Sequence, residues 1–363
     1  MAVADLFRPL TLPRGPGLKN RILLAPLTNW QSNETDGSVS EADVRWLSRC
    51  AAGNFSMIMT CAANVHPDGK AFPGQMGIWS DTHLPGLRRV ADIIRKHGGV
   101  SSVQIHHGGA RVSPALISGR TPVGPSAVSP GVQGLSLAEV EQARDAFIAA
   151  AVRAQRAGFD GVEVHAAFGW LIMQFLSPIF NQRTDKYGGG LENRARFLFE
   201  IIDGIRGTCR PDFQIGLRIS MERYGVPLME MREVAARVLR EAHIDYLDLA
   251  VWDYRKMATE APFVGQTMLS VFTTLPRPDN VRVGTSGHVL TAQQAVEVLD
   301  SGCDFVMIGK AAILDPDLPK KIETNEEYQA PKLPVTAEYL KSSGLSERFI
   351  DYMRTWEGFV LES

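Results

Sequence analysis

The chain predicts an α/β fold, a single (β/α)8 barrel with a C-terminal tail, on three observations. A short phrase recurs: Ala157-Gly158-Phe159-Asp160-Gly161-Val162-Glu163-Val164, Ala242-His243-Ile244-Asp245-Tyr246-Leu247-Asp248-Leu249, and Ser301-Gly302-Cys303-Asp304-Phe305-Val306-Met307-Ile308. Each copy closes a helix and opens a strand; Gly158 and Gly302 suit the left-handed position past a helix end, where His243 must manage with a Cβ. Amphipathic stretches alternate with short apolar runs, and no composition break or low-complexity linker divides the 363 residues.

Taken in order, the first strand is expected near 21–25 and the second near 56–61, behind a weaker copy of the phrase, Ala52-Gly53-Asn54-Phe55. The third falls near 101–105. A helix from Leu137 to Ala157, with Val140, Ala143, Phe147, Ala151 and Ala154 at three- and four-residue steps, leads to the fourth near 161–165. The remaining four fall near 214–218, 246–250, 281–284 and 305–308, each bounded by a helical stretch. Eight such units favour a barrel. An open dinucleotide-binding sheet would want a glycine fingerprint after its first strand, where Ala25-Pro26-Leu27-Thr28 stands. The whole chain, 1–363, is expected to form one domain, with 325–363 as an extension.

Composition narrows the function. With 38 Lys+Arg against 40 Asp+Glu the net charge is −2, which gives no general attraction to nucleic acid or anionic lipid. The first 24 residues carry Asp5, Arg8, Arg14, Lys19 and Arg21 among three prolines, and no 18-residue apolar run occurs elsewhere. A soluble cytoplasmic protein with no membrane partner is expected. The four cysteines form no C-x-x-C pair, so no metal centre is expected.

In a barrel of this kind the reacting groups stand just after the strands. Those positions hold Thr28 and Trp30, Ala62, Gln104 with His106 and His107, His165, Arg218, Ser286-Gly287 and Gly309-Lys310. The last two pairs lie where barrels commonly bind phosphate through exposed backbone N–H groups.

The stretch from Gly161 to Arg196, GVEVHAAFGWLIMQFLSPIFNQRTDKYGGGLENRAR, closely resembles the long signature of the Old Yellow Enzyme family, the FMN-dependent ene-reductases, in its shorter bacterial-type branch. The likeness extends to Leu18-Lys19-Asn20-Arg21, Gly77-Ile78-Trp79-Ser80-Asp81, Gln104-Ile105-His106-His107 and Ile308-Gly309-Lys310. It implies FMN as cofactor and NAD(P)H as co-substrate. Ala25, Pro26, Leu27 and Thr28 would line the flavin ring, Ala62 would pack on it, Gln104 would bond its pyrimidine edge, and His165 can also reach the flavin. Arg218 would place its charge near N1 and O2, and Ser286, Gly287, Gly309 and Lys310 would hold the phosphate. Arg183, Asp185, Asn193 and Arg194 read instead as scaffold of a long loop.

Two departures concern the phosphate: His288 replaces a usual second glycine, and Lys310 a usual arginine. Others concern the substrate. The family's paired oxygen donors and its tyrosine acid fall at His165, Phe168 and Trp170, so one donor and the acid are lost, and Trp30 replaces a further tyrosine. An indole N–H donates a hydrogen bond but is no general acid near neutral pH. His165 and Trp170 are the candidate catalytic residues, and Trp30, His165, Phe168 and Trp170 the candidate substrate contacts. The resemblance implies hydride transfer from NAD(P)H through flavin N5 to an activated C=C bond of a small molecule. A redox-neutral or oxidative flavoenzyme, and a flavin-binding protein without ene-reductase activity, stay open beside it. Tyr254 is a candidate substitute acid or a surface residue. The tail from Leu345 to Phe359 is expected either to dock on a second copy or to fold back on its own barrel.

Overall fold

Alternation along eight short strands sorts side chains into two cores. In the computed structural model, which describes residues 1–361, these strands are β1 (Ile22–Leu24), β2 (Met57–Met59), β3 (Val100–His106), β4 (Gly161–Ala166), β5 (Gln214–Ser220), β6 (Tyr246–Ala250), β7 (Arg282–Ser286) and β8 (Phe305–Ile308). Each pairs in parallel with the next. β8 returns to β1 through Ile22↔Val306, Leu23↔Met307 and Leu24↔Ile308, closing the barrel. All eight expected strands form.

Outward residues such as Val103, Ile105, Val162, Val164, Ile215, Leu217, Leu247 and Leu249 join the core between the strands and the helices. The inward set begins apolar, with Leu23, Met57, Met59, Val100, Tyr246, Phe305 and Met307 packed inside the barrel. Gly216 and Gly284 make room for the two rings there: a Cβ would meet the Tyr246 hydroxyl oxygen at 2.4 Å and Phe305 Cε2 at 2.2 Å. Towards the C-terminal ends the inward series turns polar, as in Val100-Ser102-Gln104-His106 and Gly161-Glu163-His165. The fold thereby seals one end and collects hydrogen-bonding groups at the other.

Helices α1 (Glu41–Ala52), α2 (Leu84–Lys96), α3 (Leu137–Arg156), α4 (Leu171–Leu176), α5 (Leu191–Thr208), α6 (Leu228–Glu241), α7 (Met268–Thr273) and α8 (Ala292–Asp300) follow in order. The sequence-predicted helix at 137 is α3, started by a capping box in which Ser136 Oγ accepts from Glu139 N while Glu139 accepts from Ser136 N.

The recurring aspartate has a structural task. Asp160 accepts from Ser101 N (2.8 Å), Asp245 from Ile215 N (2.7 Å) and Asp304 from Val283 N (2.9 Å). Each thus satisfies a donor at the foot of the strand preceding its own, and in the weaker copy Ser56 Oγ accepts similarly from Asn20 N (3.3 Å). One detail differs from expectation. The left-handed residue of the second copy is Ala242 (φ 53°), the residue that caps α6, not His243, and that of the weak copy is Asn54 (φ 74°).

After β8 come α9 (Lys310–Leu314), α10 (Leu318–Thr324), α11 (Ala337–Ser342) and α12 (Glu347–Arg354). The tail folds back on its own barrel. Phe349 packs edge-on against Trp46 with centroids 5.4 Å apart, Ser346 Oγ donates to Gln31 Oε1 (2.7 Å), and the Tyr339 hydroxyl donates to Leu314 O (2.9 Å). No helix among the described residues is long and apolar enough to cross a membrane.

Candidate active site

Strand register builds the site. His165 on β4 stands beside Arg218 on β5, which stands beside Asp248 on β6, while Gln104 on β3 stands beside Glu163 on β4. Arg218 Nη2 donates to Ser286 Oγ (2.7 Å), and its Nε lies 3.2 Å from Asp248 Oδ2. Gln104 Nε2 donates to Glu163 Oε1 (2.8 Å). Above this layer opens a cavity of about 1180 Å³, mouth included, whose wall includes Leu27, Thr28, Gln104, His165, Phe168 and Arg218.

Burial governs the charges here. It pushes the Glu163 carboxyl up to about 8, helped by nearby Asp248 and opposed by Arg218. Asp248 is likewise raised by burial and held down by Arg218. Burial, with His106 and Arg218 beside it, drives His165 well below the usual histidine range, and burial takes His106 down to about 3. Both imidazoles are neutral at neutral pH, so Arg218 is the permanent cation of this layer.

The structure brings together most residues singled out in the sequence. Pro26, Leu27, Thr28, Ala62, Gln104, His165, Phe168, Trp170 and Arg218 share the cavity wall. Ala25 is buried behind it, within the barrel core. Ser286 and Gly287 flank it at the end of β7, joined to it by the Arg218 bond. Gly287 has φ 141°, and a Cβ there would meet Val251 O at 2.4 Å. Gly309 caps α9, and Lys310 Nζ lies 5.9 Å from the ring of Trp356, itself a wall residue.

Trp30 does not line the cavity. Its backbone is left-handed (φ 55°) and Gly74 passes so close that a Cβ there would meet Trp30 O at 2.0 Å; the ring instead packs on Tyr352, centroids 5.0 Å apart. Tyr254 is buried outside the wall with its hydroxyl donating to Glu297, which with burial raises its pKa. The scaffold residues serve the loop: Arg183 donates to Pro125 O (2.8 Å) and Asp185 (2.6 Å), and Arg194 to Gly189 O (2.9 Å) and Glu230 (2.9 Å).

With that geometry in hand, a family profile described as the NADH:flavin oxidoreductase / NADH oxidase family matches residues 5–329. The chain belongs to this family, that of the Old Yellow Enzymes. Over 340 residues it is 36% identical to the probable NADH-dependent flavin oxidoreductase YqiG of Bacillus subtilis, covering 89% of each chain. It is 31% identical over 340 residues to an NADPH dehydrogenase of Geobacillus thermodenitrificans, covering 89% of this chain and 97% of that one. Among solved structures, morphinone reductase in complex with tetrahydroNAD superposes with a TM-score of 0.76 at 26% identity, covering 93% of this chain and 94% of that one. The protein is an NAD(P)H-dependent flavin oxidoreductase of Old Yellow Enzyme type, with FMN as cofactor.

The wall fits an FMN. Among the described residues Arg218 Nη1 is buried without a hydrogen-bond partner, a donor and charge left for a ligand. Gln104 spends its amide N–H on Glu163, leaving its carbonyl oxygen for a ring N–H. Several wall residues carried no advance signal: Phe72, Arg111, Tyr224, Trp252, Ile313 and Tyr352. Arg111 lies 4.5 Å over the Trp170 ring and donates to Phe168 O, so it ties down the loop that carries both departures. Tyr352 and Trp356 are an i, i+4 pair from the tail, a spacing visible in sequence although their destination is not.

Proposed function

We propose that the chain reduces an activated C=C bond of a flat, largely apolar molecule, with His165 as hydrogen-bond donor to the activating oxygen. FMN held in this wall would supply the hydride chemistry, with NAD(P)H as the source of reducing equivalents. The place of buried His165 in the same wall as Arg218 and Gln104 is the observation that carries this reading: burial disfavours its protonated form, and a neutral imidazole N–H would meet the oxygen as its charge grows, without being consumed as an acid. As the β-carbon gains hydride, the π pair shifts towards the oxygen, and the α-carbon takes a proton from water entering at the mouth.

Phe168 and Trp170 shape the pocket in this reading. Phe168 packs 5.6 Å from His165, and Arg218 lies 5.4 Å over its ring. Trp170 is held edge-on to His106 at 4.9 Å and under Arg111. With Tyr224, Tyr352 and Trp356 they give aromatic faces for a planar acceptor. Ala25, Pro26, Leu27, Thr28 and Ala62 would face the flavin ring, and Ser286, Gly287, Gly309 and Lys310 its phosphate.

The test is anaerobic. Adding NADH or NADPH to the flavin-loaded protein should bleach the flavin, and cyclohexenone should restore its colour. The double variant Phe168→His/Trp170→Tyr should do so about tenfold faster, regaining a donor and an acid. A rate unchanged by the double substitution would refute the assigned donor set. Product formed without net NAD(P)H use would instead indicate a redox-neutral reaction.

A further inference from the structure

The wall of the cavity carries two permanent charges, both arginines, and no carboxylate. Arg218, on β5, is engaged by Asp248 and Ser286. Arg111 is different. It closes the short helical turn Gly109–Arg111 after β3, is exposed, and forms no ion pair among the described residues. Glu222, the acid near Tyr224 in the chain, is taken up by Lys256.

The Arg111 head group is nonetheless held. Its central carbon lies 4.5 Å from the centre of the Trp170 ring and 5.9 Å from that of Tyr224, both wall residues, and its Nη1 donates to Phe168 O. Contact with the rings and one carbonyl engages a face and one nitrogen of the planar group. Nε and Nη2, the edge that forms a fork for a carboxylate, have no hydrogen-bond partner among the described residues. The charge also reaches into the site, because after burial and His107 it is among the causes that lower His106. A cleft with charge of one sign between low-dielectric aromatic walls draws in an anion.

We propose that Arg111 is a specificity-determining residue that binds a carboxylate on the acceptor, so that the substrate is a planar unsaturated carbonyl compound with a carboxylate remote from the reacting bond. His165 takes the activating oxygen, the aromatic faces take the body, and Arg111 takes the anionic end at the mouth. This deepens the reading given above and rests on it for the acceptor's place in the cavity. A nicotinamide dinucleotide brings phosphates to the same mouth, and the test separates the two anions.

The probes are 4-carboxycinnamaldehyde and its methyl ester, which differ in charge and little in shape. Each is titrated into the oxidised flavin-loaded protein without nicotinamide, and the shift in visible flavin absorbance gives Kd. The carboxylate should bind about tenfold tighter than the ester, and NaCl at about 1 M should narrow the gap by screening the rim pair. In Arg111→Gln the two should bind alike, while Arg111→Lys, with the charge but not the fork, should keep part of the preference. Loosening of the Phe168 loop would move both ligands together, so the ratio reads the charge alone. Equal or absent binding of the two by the wild type overturns the proposal, and so does a preference that survives in Arg111→Gln. An Arg111→Gln variant whose KM for NADPH rises while the acceptor ratio holds assigns the arginine to a nucleotide phosphate and overturns it too. If NADPH then reduces neither probe, the proposed reaction fails, while the Kd ratio still decides this inference.

Discussion

Arg218→Met should destabilise the protein by about 3–5 kcal/mol and strip it of flavin. The guanidinium stands beside Asp248, which has no solvent exposure, and within Coulombic reach of fully buried Glu163. Removing it leaves the Asp248 carboxylate in a dry interior beside neutral Glu163 with no compensating cation, which is costlier than any packing that methionine recovers. The variant can relieve the cost by protonating Asp248, so its deficit should shrink as pH falls and grow as pH rises. Urea unfolding at pH 5.5 and 8, with the visible flavin absorbance of the purified protein, measures both effects. Arg218→Lys keeps a charge but not the planar fork that reaches Ser286 and Asp248 together, so it should recover stability more fully than flavin. Wild-type flavin content in Arg218→Met would refute the assigned role.

The barrel was legible because its signals are local. Helical period and strand period act within a few residues, the repeated aspartate acts on an N–H at the foot of the strand before its own, and all eight strands lie within a few residues of their expected places. The strand-borne part of the site was legible for the same reason, since the register that sets His165 beside Arg218 follows from the closed sheet. What failed was long-range. Nothing near Trp30 shows that Gly74 will turn its backbone, or that Tyr352, more than 300 residues on, will take the place between its ring and the cavity. The helical spacing of Tyr352 and Trp356 marks a face, but whether it covers this barrel or a second copy depends on packing that no local pattern encodes. The Gln75–His106 bond is equally silent, because a polar residue in a loop gives no sign of which buried imidazole it will meet.

Glu163→Gln should make the protein's stability less sensitive to pH between about 4.5 and 8, and should raise it at the alkaline end. Well below that window the carboxyl is protonated in folded and unfolded chains alike. As pH rises, unfolded chains ionise it from 4.5 upward, while burial holds the folded form protonated up to about 8. The folded state then binds the extra proton, so wild-type stability falls through the window and levels off above it. A shift of this size corresponds to a few kcal/mol, on the order of 3 after allowing for the coupling to Asp248. Glutamine keeps the carbonyl that accepts from Gln104 and removes the titration. Other groups act in the same range: burial lowers His106, His107 and His165, so their contribution is lost as pH falls below the usual histidine value. Asp81, held low by Arg156 and Arg153, and Asp185, held low by Arg183, lose theirs only at more acid pH. The decisive quantity is therefore the difference between variant and wild type. Denaturant unfolding of the two at half-unit pH steps should give a gap that opens from pH 4.5 to 8 in favour of Gln, whereas parallel curves would mean that Glu163 is ionised in the folded barrel at ordinary pH.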